Sequence, residues 1–94
     1  MVGMIFKDKN EPKNGVPYAV QGGIYVGEML VYIEKTKTEY CFLSIPKNVI
    51  RNIPKDKFTF AINEKIVEEV DKLPGGVYSI LKAQYFYNKK IKPK

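Results

Sequence analysis

Ile24-Tyr25-Val26-Gly27-Glu28-Met29-Leu30-Val31-Tyr32-Ile33 and Tyr40-Cys41-Phe42-Leu43-Ser44-Ile45 are the stretches that decide the fold. Both runs are rich in β-branched and aromatic residues, and the polar run Glu34-Lys35-Thr36-Lys37-Thr38-Glu39 between them suits a hairpin connection. The reading is a β-hairpin of residues 24–33 and 40–45. Alternation puts Tyr25, Met29, Val31 and Ile33 on one face of the first strand, and Ile24, Val26, Leu30 and Tyr32 on the other. The second strand divides Tyr40 and Phe42 from Cys41, Leu43 and Ile45. Both faces are apolar, whereas an antiparallel sheet with one wet face alternates apolar and polar residues. Each face therefore needs a cover.

Working outward, Val2–Phe6 reads as a short first strand, and the Asp-, Asn-, Pro- and Gly-rich stretch 8–17 as a loop. Gly22-Gly23 and Gly27 suggest a bend or bulge at the start of the hairpin. Residues 46–53 read as a short helix opened by Pro46 and closed by Pro54. Phe58–Ile62 fits either state. Asn63 reads as an N-cap, with Ile62 and Val67 as its hydrophobic staple. A helix over 63–73 then presents Ile66, Val67, Val70 and Leu73, and Pro74-Gly75-Gly76 stops it. Residues 77–88 read as a helix with Val77, Leu81 and Tyr85 on one face, against a strand alternative. The sum is an α+β fold: a small antiparallel sheet with the hairpin at its centre and two or three short helices packed on it. Residues 1–88 are expected to form one domain, and residues 89–94 a basic, mobile tail.

The 94 residues suit a single domain, and 45% hydrophobic content argues against wholesale disorder. The opening run Met1–Lys7 has neither a charged n-region nor a long apolar stretch, and no run nears the roughly 18 apolar residues of a membrane span. A cytoplasmic protein with no membrane partner is expected. Fifteen lysines against the single Arg51 match the codon bias of AT-rich genomes, as in many small bacterial and viral reading frames.

The net charge of +6 is unevenly spread: residues 58–73 carry −2, and residues 74–94 carry +5. Such asymmetry bears on partners rather than fold.

Catalytic signatures are sparse. There is no histidine, so the commonest general base and transition-metal ligand are missing. The one cysteine, Cys41, lies in an apolar run and reads as a buried hydrophobe. Ser44 and Ser79 lack a nucleophile-elbow setting, and Gly22–Gly27 lacks the spacing of a phosphate loop or dinucleotide site. Glu64, Glu68, Glu69 and Asp71 read as a solvated helix face. The sequence thus points away from an enzyme and assigns no catalytic residue, metal or cofactor.

What remains is binding. The leading expectation is a small non-catalytic, regulatory binding protein that acts on a macromolecular partner, a protein rather than a nucleic acid. The alternative is a nucleic-acid accessory protein whose C-terminal arm uses Tyr85, Tyr87, Lys89, Lys90 and Lys92, the rings to stack on bases and the lysines to neutralise phosphates. A small enzyme built on tyrosine, lysine and carboxylate groups ranks third. If the helices cover only one hairpin face, Ile24, Val26, Leu30 and Tyr32 form an exposed patch that a homodimer would bury.

Overall fold

A computed structural model describes residues 11–91. It shows the α+β fold: a five-stranded antiparallel sheet and two helices. The elements are β1 (Pro17–Val20), β2 (Met29–Lys35), β3 (Glu39–Ser44), β4 (Val49–Pro54), α1 (Lys55–Asn63), β5 (Val67–Glu69) and α2 (Gly75–Ile91). The strands lie in the order β4-β3-β2-β1-β5. The predicted hairpin is β2–β3, with Leu30 opposite Ser44 and Tyr32 opposite Phe42, and a register shift after Tyr32.

Both faces of the sheet are covered, as its two apolar faces require. On one, Tyr18, Val20, Leu30, Tyr32, Tyr40, Phe42 and Val67 pack with Phe58 of α1. On the other, Val31, Ile33, Cys41 and Leu43 pack with Tyr85 of α2. Cys41 is buried, as its setting predicts, and burial pushes its thiol above the ordinary range.

Four expectations are corrected. First, β2 begins at Met29, not at residue 24. Gly23 and Gly27 have φ values of 87° and 90°, left-handed conformations that suit glycine and turn Gly22–Gly27 into a loop. Second, residues 46–53 contain no helix. Residues 45–48 form a turn with Asn48 at φ 53°, and the chain returns as β4 against β3. The β-branched Val49, Ile50 and Ile53 suit either state, and the free edge of β3 decides between them.

Third, Asn63 ends a helix instead of starting one. Pro54 stands before the first turn of α1, where its missing N–H costs nothing. The helix closes when Lys65 N–H bonds to Ile62 C=O and Ile66 N–H to Ala61 C=O, with Lys65 at φ 60°. That is a Schellman closure with lysine at the position glycine usually fills. The chain then returns as β5 beside β1 rather than continuing to residue 73. Fourth, Pro74-Gly75-Gly76 opens α2, whose first turn is tied by Tyr78 N–H to Pro74 C=O.

The helix predicted at 77–88 is present and extends through Ile91. Lys89, Lys90 and Ile91 therefore belong to α2, while residues 92–94 and the strand expected at Val2–Phe6 lie outside the described residues. No helix among the described residues is long and apolar enough to cross a membrane.

Candidate functional site

Because β2 starts late, the loop Gln21–Glu28 is free to fold over the α1 face. Its own turns build it: Val26 N–H bonds to Gly23 C=O, Glu28 N–H to Tyr25 C=O, and Gly27 N–H to Val20 C=O. Gln21 N–H ties it to Ile66 C=O, just past the end of α1. Between this loop and α1 runs a groove of about 700 Å³. Val20, Leu30, Ile53 and Val67 line its base, while Ile24 and Tyr25 on one side face Phe60 and Ala61 on the other.

The lining is apolar apart from Asn52, Asp56 and Lys57 near the start of α1. Ile24 is 89% exposed and Phe60 60% exposed, so each lip of the groove presents a large apolar side chain to water. Its volume lies within the roughly 300–1,000 Å³ of ligand-binding clefts.

The loop is held from beneath. Glu28, almost fully buried, accepts two hydrogen bonds from Arg51: Nε to Oε1 at 3.0 Å and Nη2 to Oε2 at 2.8 Å. The guanidinium carbon lies 4.4 Å from the centre of the Tyr25 ring. One cation on β4 thereby fixes both the foot of the loop and a residue of the groove wall, through a bidentate pair and a cation–π contact. The Arg51 bonds hold the Glu28 carboxyl below its ordinary range against the opposing effect of burial, and Glu28 in turn raises Arg51.

The residues singled out from sequence do not form one site. Leu30 and Tyr32 lie under α1 in the core, so they offer no free interface. Ile24 and Val26 are exposed, but on the loop and not on a strand face. Tyr85 is buried and donates its hydroxyl to Glu34 Oε2 at 2.7 Å, so it has no open ring face to stack on a base. Burial pushes its pKa up, and the Glu34 bond adds to the rise. Lys89 pairs with the same Glu34 oxygen at 2.6 Å. Burial works against ionisation of Glu34, but the bonds from Lys89 and Tyr85 outweigh it and its pKa falls. Tyr87 and Lys90 are exposed elsewhere on α2, and Lys92 lies outside the described residues.

Sequence reasoning passed over Tyr25, Ile53 and Phe60 as groove residues. The signal for the loop was present in Gly22, Gly23 and Gly27; no local signal could show that α1 would lie across from it. Among the described residues, no cluster of three or more acidic, histidine or cysteine groups stands close enough to hold a metal ion. No family model, curated protein or solved structure matches this chain.

Proposed function

We propose that this is a non-catalytic binding protein that receives an apolar segment of a protein partner in the groove between the Gln21–Glu28 loop and α1. The observation that carries this reading is the pair of exposed apolar lips, Ile24 and Phe60, over an apolar base. Large exposed apolar side chains gathered at a cleft lose surface to water on binding, which drives association. The Glu28–Arg51–Tyr25 contacts hold the loop in place beforehand, which lowers the ordering cost of binding.

Selection of peptides from a displayed random library tests the reading. Wild-type protein should enrich sequences with clustered apolar anchors. Phe60→Glu, at an exposed position, should leave the fold intact and weaken those peptides at least tenfold. Apolar binders whose affinity is unchanged by both Phe60→Glu and Ile24→Glu would sink it. The nucleic-acid alternative now rests on Tyr87, Phe86 and Lys90, all exposed on α2. Salt-dependent retention on DNA or RNA that Lys90→Gln and Tyr87→Ala weaken would favour it instead.

A further inference from the structure

The two edges of the sheet differ. β5 is three residues long and carries the exposed Glu68 and Glu69, features that discourage an edge from pairing. β4 is six residues long, and its only charged residue, Arg51, is engaged by Glu28. Among the described residues no strand pairs with its outer edge. Lys55 N–H donates to Thr38 C=O, and Ile45 N–H to Met29 C=O. Those two bonds set the phase of the ladder: Val49, Arg51 and Ile53 turn their amides toward β3, leaving Ile50 and Asn52 to turn theirs outward.

Beside this edge lies a bare flank of α2. Asn88 Nδ2 donates to the Asn48 backbone carbonyl just before β4, while Lys89 reaches the other way to Glu34 on β2. The flank of the helix beyond Asn88 therefore faces the β4 side. Gln84 and Ile91 lie on that flank, and Ile80 and Tyr87 follow at helical spacing where it turns toward the outer face of the helix. Ile80 is 69%, Tyr87 58% and Ile91 50% exposed. None of these four, nor Ile50 or Asn52, carries a charge, on a chain whose net charge is +6.

We propose that β4 pairs antiparallel with β4 of a second copy about a two-fold axis, and that the bare α2 flanks of the two copies close over the joint. A second copy is the occupant because the edge matches itself: apart from Arg51, which Glu28 engages, β4 and the strip beside it are uncharged, so a two-fold sets no bare charge against its own image there. Self-pairing also consumes the longer of the two edges among the described residues, and the short, acidic β5 discourages a further copy, so assembly stops at two and does not extend into a fibre.

The axis stands normal to the sheet, which keeps each face on its own side and makes opposed residues share a face. Centring on Asn52 sets it against its own copy, Arg51 against Ile53, and Ile50 against Pro54. Ile50 N–H donates to the Pro54 carbonyl, so the missing proline N–H does no harm. Centring on Arg51 would oppose two guanidinium groups. The joint borders the groove at Asn52, Ile53 and Pro54, but its test reads mass and cross-linking, whereas the groove is tested at Ile24 and Phe60, so the two proposals fail separately.

The full chain at tens of micromolar should show, by light scattering, twice its 10.8 kDa mass. Asn52→Lys, at an exposed position, should be a monomer with an unchanged far-ultraviolet circular dichroism spectrum. Asn52→Cys should cross-link under mild oxidation, because hydrogen-bonded antiparallel neighbours lie with Cα atoms about 5.5 Å apart, within disulfide reach. Glu68→Cys on the other edge should not, and Cys41 is buried away from either reaction. A wild-type monomer at hundreds of micromolar overturns the proposal. So does a dimer that survives Asn52→Lys, or equal cross-linking of the two cysteine variants.

Discussion

Under α1 the sheet packs rings against rings; under α2 it packs aliphatic side chains against a single buried tyrosine. Phe58 sits 5.4–5.5 Å, centre to centre, from Tyr18, Tyr40 and Phe42, edge-on to the two tyrosines. Those contacts are geometrically specific and add to the stabilisation from area burial. The second face holds α2 through Tyr85 and a few polar anchors, Tyr85 to Glu34, Asn88 to Asn48 and Tyr78 to the Tyr32 carbonyl. α1, with nine residues, thus holds its face through one buried ring, Phe58, and α2, with seventeen, through Tyr85 and Asn88. Helix length says little about anchorage; the geometry of the buried contacts sets the two faces apart.

The largest expected effect comes from cutting the centre of the ring cluster. Phe58→Ala should cost about 3–5 kcal/mol, the usual range for emptying a buried phenylalanine site. Chemical denaturation measures it, and a loss near 1 kcal/mol would mean that the α1 face is not the main core.

Next comes the buried ion pair at the rim of that face. Glu28→Gln should cost about 2 kcal/mol at neutral pH, in the range for hydrogen bonds to charged groups. Arg51 depresses the folded pKa of Glu28 below its ordinary 4.5. Its contribution is therefore complete above that ordinary value and is lost as pH falls through the folded one. The gap between wild type and Glu28→Gln should narrow as pH drops below 4.5, and a gap independent of pH would break the assignment.

The smallest effect belongs to the second face. Tyr85→Phe keeps the ring and loses the Glu34 bond, so it should cost about 1 kcal/mol. Amide exchange should quicken in α2 and stay unchanged in α1. If α1 quickens equally, the two faces open as one unit and the contrast between them fails.

The hairpin was legible because its two strands are apolar on both faces, and that same pattern announced a cover on each side. The C-terminal helix was legible because Val77, Leu81 and Tyr85 recur at helical spacing. Residues 46–53 and 63–69 misled for one reason: short apolar runs satisfy both periods. Asn63 looked like a cap because N-capping is a common role for asparagine, but a lysine at positive φ closed the helix two residues later. The groove was illegible, since it lies between a loop and a helix about thirty residues apart.

By itself the sequence determined the α+β class, the β2–β3 pairing, the burial of Cys41 and the surplus of positive charge. Those follow from local composition and from period-2 and helical spacing, which each segment carries alone. The tertiary structure decided that β4 and β5 are strands, that Tyr85 is core, and that Ile24 faces Phe60 across a groove. Each of those depends on which partner a segment meets. A backbone that could hydrogen-bond within a helix or across a sheet takes the sheet when an open edge stands beside it. A side chain such as Tyr85 is buried or free according to what lies opposite it, and its neighbours in sequence cannot settle that.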